Sequence, residues 1–91
     1  MYVGTYRFAG DPAELVPAYD RLLARFDTAA FDLHVCVVGA DGITVIDACP
    51  DEATFRAFSA SVDWTVTGLP KPTVTQLGDV HAAHIGTAVR S

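Results

Sequence analysis

The residue types able to do chemistry crowd into one stretch, FDLHVCVVGADGITVIDAC, from Phe31 to Cys49. It holds His34, Cys36, Asp47 and Cys49 among β-branched residues. An aspartate beside a histidine fixes the imidazole tautomer and raises its basicity, the usual preparation of a general base. The same pair also occurs as a structural polar couple at a wet rim or in an interface. Cys36 or Cys49 would act as a nucleophile only next to a cation or histidine that lowers the thiol pKa; otherwise each is a small buried hydrophobe. A metal site of His34, Cys36 and a third ligand has no recognisable spacing. Elsewhere, His81 and His84 stand three apart in a segment read as extended. That places them on opposite faces, unable to chelate one ion, with one of the two sharing the sheet face of His34. Arg7, if turned inward with Val3 and Thr5, would anchor a carboxylate or phenolate. Trp64, Tyr2 and Tyr6 could stack on a planar aromatic ligand, or simply fill a core.

The elements that position these groups are legible from periodicity and punctuation. Val-rich runs on both sides of Gly39-Ala40-Asp41-Gly42 are a β-hairpin signal. Pairing across a two-residue turn puts Leu33, Val35 and Val37 on one face with Thr44, Ile46 and Ala48. The other face carries His34, Cys36 and Val38 with Ile43, Val45, Asp47 and Cys49. The apolar set is expected to hold helices, and the His/Cys/Asp set to look toward the open side. His34 and Asp47 fall opposite each other or one diagonal apart, depending on the turn register. Tyr2 to Phe8 reads as a first strand. Asp11-Pro12-Ala13-Glu14 reads as a helix start with a capping box. Leu15, Tyr19, Leu22, Leu23 and Phe26 follow as an apolar stripe, with Pro17 expected to bend the first turns. Pro50-Asp51-Glu52 opens a second helix carrying Phe55 and Phe58, breaking near Val62 before a turn at Trp64-Thr65-Val66. Gly68, Pro70 and Pro72 stop it, and a last strand runs from Thr73 to about Ile85.

Composition narrows the function classes. Ninety-one residues make one small domain, and 51% hydrophobic content in so short a chain suits an oligomer interface. The net charge of -5 and a single lysine, Lys71, argue against nucleic acid or an anionic membrane as partner. No signal peptide is visible in MYVGTYRF, no apolar run approaches the ~20 residues of a membrane span, and two offset cysteines do not suggest a disulfide, so a cytoplasmic location is expected. There is no GxGxxG, P-loop or Gly-x-Ser-x-Gly motif.

The order β-α-β-β-α-β specifies an α+β, ferredoxin-like sandwich: a four-stranded antiparallel sheet with two helices on one face and nothing from its own chain on the other. Two such sheets packed face to face would bury the bare side and enclose a cavity. A strand ending at GDP, a helix ELVPAYDRLL, a strand LHVCVV, a turn ADG, then DEATFRAF, GLPKP and a final VH-containing strand resemble the dimeric α/β-barrel superfamily, among its short monooxygenase-like and polyketide cyclase-like members. That resemblance implies a homodimer through the open sheet face, with a ligand pocket in each protomer between sheet and helices. It implies a cofactor-independent enzyme oxygenating, cyclising or isomerising an aromatic or polyketide-like molecule. His34 with Asp47, or His81, would be the acid/base; His81 is chosen over His84 because similar proteins carry a histidine at that point of the strand. Arg7, Tyr6, Cys36 and Trp64 would meet the substrate, and no cofactor or metal is implied. The alternative is a non-catalytic dimer that binds a small ligand or haem. Haem-degrading members use a Trp, an Asn and a His together, whereas this chain has Trp64 but no asparagine and no histidine in its second helix.

Overall fold

The computed structural model describes residues 1–27, 29, 31–84 and 86. Strand β1 (Tyr2–Ala9) leads through Gly10 into helix α1 (Pro12–Leu23), whose N-cap Asp11 accepts a hydrogen bond from the Ala13 amide at 3.0 Å. Pro17 lies inside α1, and Phe26 falls in the turn beyond it. The hairpin follows as β2 (Leu33–Gly39) and β3 (Gly42–Cys49), with Ala40 and Asp41 as its two-residue loop. Asp51 caps α2 (Glu52–Ser61) by accepting from the Thr54 amide at 2.7 Å. A 3-10 turn at Trp64–Val66 and strand β4 (Thr73–Asp79) complete the order. The strands form one antiparallel sheet, β2-β3-β1-β4, the ferredoxin-like α+β arrangement expected. No helix among the described residues is long and apolar enough to cross a membrane.

The helices lie on the side of the sheet opposite to the one expected. Tyr2, Gly4, Tyr6 and Phe8 of β1 are buried beneath them. The register pairs these residues with Cys49, Asp47, Val45 and Ile43, and then pairs Asp47 with His34 and Val45 with Cys36. The His/Cys/Asp face is therefore the helix-covered one. Leu33, Val35 and Val37 are exposed instead. The physical reason is the aromatic content of β1. Each Tyr or Phe buries far more area than a Val, so the face bearing three of them takes the helices, and the opposed register carries the polar pair along. Gly4 makes this close packing possible: a Cβ there would lie 2.1 Å from the Phe55 ring.

The final strand is shorter than expected, and the open face is not bare of its own chain. β4 ends at Asp79, after a register shift opposite Val3/Gly4 and a Gly78 at φ 133°. That φ suits glycine alone and accommodates the shift, after which Gly78 and Asp79 still pair with Val3 and Tyr2 at the start of β1. The expected end, Ile85, lies outside the described residues. Val80–His84 then runs over one end of the open face, bounding with Met1, Val3, Asp32, Leu33 and Ala48 a cleft of about 410 Å³. Ala48 is buried there.

Candidate functional site

Asp47 and His34 are direct cross-strand partners, and the Asp47 carboxylate is 1% exposed as a residue. A carboxylate taken that far from water needs a partner. His34 Nδ1 hydrogen-bonds Asp47 Oδ1. An ionised carboxylate only accepts, so Nδ1 carries the proton and donates it to Asp47. Nε2 is then a lone pair, and it accepts from the Tyr19 hydroxyl, Oη to Nε2 2.5 Å. Tyr19 reaches it from the middle of α1, its ring parallel to the imidazole within 5°. Phe31, just before β2, packs on the imidazole at a centroid distance of 5.4 Å. Sheet, helix and connecting loop thus hold one Tyr19–His34–Asp47 line of hydrogen bonds.

This line forms part of the wall of a cavity between sheet and helices, about 40 Å³ in volume. Phe8, Phe26, Phe31, Phe58 and Trp64 supply much of the rest. The volume suffices for a water or a methyl-sized group and falls well short of the roughly 300 Å³ at which ligand clefts usually begin. A larger guest must therefore part the aromatic side chains. Burial pushes the Tyr19 phenol up to about 12, the charges of Cys36, Asp47 and Asp20 adding to the effect. It also pushes Tyr6 up to about 12, against the lowering influence of the nearby Ser59 hydroxyl. Ser59 approaches without completing a hydrogen bond: among the described residues, Tyr6 Oη is the one buried side-chain polar atom with no partner.

The residues singled out in the sequence divide between this site and elsewhere. His34, Asp47, Tyr6 and Trp64 come together at the cavity. Cys36 shares their sheet face but packs at its edge, and burial, with the charge of Asp20, raises its thiol. Cys49 is buried, its thiol raised chiefly by burial, so neither cysteine is poised as a nucleophile. Arg7 lies on the open face, where its guanidinium donates to the carbonyl oxygen of Ile43 at 3.3 Å, and it does not reach the cavity. His81 and His84 are not strand residues; both are exposed beyond β4, and neither joins His34. Their expected alternation lapsed because the strand stops at Asp79. Tyr19 is the member that sequence reasoning missed: at helical spacing it read as one more residue of the apolar stripe. Its only distinguishing signal was a hydroxyl on that stripe facing a strand with a histidine.

Among the described residues, no group of three or more His, Cys, Asp or Glu side chains is placed to hold a metal ion. No known family model matches the chain, no curated protein matches it, and no solved structure matches it.

Proposed function

We propose that the chain works as a small dimeric α/β-barrel enzyme whose His34 exchanges a proton with a hydrophobic small molecule. The observation that carries this reading is the Tyr19–His34–Asp47 line set in the wall of an aromatic cavity. Asp47 holds the imidazole with its Nε2 lone pair toward Tyr19 and stabilises the imidazolium once formed. On ligand entry, an acidic C–H displaces the Tyr19 hydroxyl at Nε2. The C–H bond breaks, its electron pair stays on carbon and spreads into an adjacent carbonyl, and the proton rests on Nε2. Its return to a different carbon isomerises the substrate. Cyclisation of polyketide-like compounds begins with the same step, and so does oxygenation, in which the carbanion then gives its electrons to dissolved dioxygen as co-substrate. Placement of the cavity between sheet and helices agrees with what the superfamily resemblance implies. The exposed row Leu33, Val35 and Val37 supports pairing of two sheets through the open face.

A generic assay needs no known substrate. A panel of aromatic 1,3-dicarbonyl compounds is incubated with the protein in deuterated water, and loss of the α-proton signal is followed. The expectation is exchange faster than in buffer, abolished in His34→Gln and weakened at least tenfold in Asp47→Asn. Exchange no faster than buffer across the panel, or an unimpaired His34→Gln, refutes the enzymatic reading. The small cavity, with both imidazole nitrogens already satisfied, favours a second reading in which the chain is a non-catalytic dimer that takes up a small ligand. Under it, ligands shift the His34 resonances without any exchange. Haem finds no support at His34, which offers no free nitrogen for an axial bond.

A further inference from the structure

Tyr6 stands out from the other aromatic residues of the core. Its ring stacks on Phe55 at a centroid distance of 5.6 Å and meets Trp64 at 5.8 Å, contacts that a phenylalanine would make equally well. What phenylalanine lacks is the hydroxyl, and here that hydroxyl is buried beside Ser59 with no hydrogen bond completed. A polar group removed from water without a hydrogen bond destabilises the fold, and native structures leave few such groups unpaired. Tyr2, two residues earlier on the same strand face, meets the rule: its hydroxyl donates to Gln76 Oε1 at 2.8 Å. Tyr6 differs from Tyr2 in lining the cavity that also holds His34 and Tyr19.

The walls define what kind of guest would complete it. Among the described residues no lysine or arginine lines the cavity, and Arg7 is committed on the opposite sheet face, so an anionic ligand would find no counter-charge there. Asp47, the one buried carboxylate among the described residues, is already paired with His34. The remaining lining is almost entirely apolar. We propose that Tyr6 Oη is the polar anchor of this cavity, donating a hydrogen bond to the carbonyl or hydroxyl oxygen of a small uncharged ligand whose apolar part lies among Phe8, Phe58 and Trp64. The phenol stays protonated at neutral pH, and so remains a donor, because burial holds its pKa at about 12. The proposal rests on the cavity being the ligand site, as in the acid/base reading, and assigns that ligand a neutral oxygen.

The test compares phenol, toluene and benzoate, titrated into the whole protein and followed through the NMR signals of His34 and the cavity aromatic residues. Tyr6→Phe preserves the ring and removes the hydroxyl; Tyr2→Phe removes a paired hydroxyl from the same face and serves as the control. Phenol is expected to bind the unaltered protein and Tyr2→Phe alike, and Tyr6→Phe about 3- to 10-fold more weakly, the worth of one neutral hydrogen bond. Toluene should bind Tyr6→Phe no more weakly than the unaltered protein, and benzoate should bind worse than phenol. Tyr6→Phe should also unfold at no lower temperature than the parent, since an unpaired hydroxyl is lost, whereas Tyr2→Phe should unfold lower. Equal phenol binding by Tyr6→Phe and parent, with toluene still entering, overturns the anchor and leaves the cavity reading standing. Tightest binding by benzoate overturns the neutral-ligand assignment. If no probe moves the cavity signals, the anchor falls together with the reading on which it rests.

Discussion

Truncation of His34 gives the sharpest energetic test of the Asp47 pairing. His34→Ala leaves the Asp47 carboxylate, 1% exposed as a residue, without the imidazole that satisfies it. Leaving a buried charge without its partner costs about 3–5 kcal/mol. Against a total stability of roughly 5–15 kcal/mol, that is a large fraction. For a domain of 91 residues each 1 kcal/mol moves the melting temperature by about 4–8 °C, so a drop of more than about 10 °C is expected. Asp47→Ala leaves a milder defect, an imidazole N–H of a half-buried ring without its acceptor, at about 1–3 kcal/mol. The double variant carries neither the orphaned charge nor the orphaned donor. Its loss should therefore fall short of the sum of the single losses by about 2 kcal/mol. Urea unfolding of the four proteins measures this, provided the slope of stability against urea stays constant across the set. Additivity within about 0.5 kcal/mol would mean that the two side chains do not meet, and the site as described would be wrong.

Three further outcomes follow from the packing and the charges. Gly4→Ala drives a methyl group into the Phe55 ring, 2.1 Å away, and should cost about 1–3 kcal/mol in urea unfolding, with Phe55→Leu restoring part of the loss; no loss would contradict the packing of β1 against α2. At alkaline pH the folded phenols of Tyr6 and Tyr19 hold protons up to about 12 while unfolded tyrosine releases them near 10. The folded state then binds more protons than the unfolded one, so stability is full below pH 10 and falls as pH rises toward 12, by at most about 1.4 kcal/mol per pH unit from Tyr6. Urea unfolding of Tyr6→Phe should show a shallower decline over that window, and an equal decline would refute the assignment. Finally, Val35→Asp with Val37→Asp places two charges on the exposed sheet row. Light scattering should give a dimer for the parent and a folded monomer for the variant, and a monomeric parent would remove the interface.

The chain's element order and hairpin were readable from local signals because turn chemistry is local. Asp11, Asp51, Gly68 and the Gly39–Gly42 turn mark their boundaries without reference to anything distant. That His34 and Asp47 share a face was readable for the same reason, but whether they stood opposite or one diagonal apart was not; the Gly39–Gly42 pairing makes them direct partners. Which side of the sheet the pair would face was not readable either. Both hairpin faces carry apolar residues, and the choice belongs to β1, whose Tyr2, Tyr6 and Phe8 bring the larger apolar area. A count of apolar residues over the whole sheet, rather than the hairpin alone, was the signal that could have found it. The end of β4 escaped because the alternation was read beyond Asp79, whereas the ladder stops opposite Tyr2, where β1 begins. Tyr19 and the unpaired hydroxyl of Tyr6 escaped because both depend on contacts between elements, which periodicity does not encode.

The most direct measurement of the central claim is the protonation pattern of the His34 ring, read from its two nitrogen shifts by NMR at neutral pH. The Tyr19–His34–Asp47 line requires a protonated Nδ1 donating to Asp47 and a bare Nε2 accepting from Tyr19. The account predicts that tautomer for His34, with a strongly deshielded Nδ1 proton lost in Asp47→Asn and a Nε2 shift altered in Tyr19→Phe. His81 and His84, both exposed, should show ordinary solvent-averaged shifts. An Nε2-protonated His34, or one indistinguishable from the two exposed histidines, would contradict it.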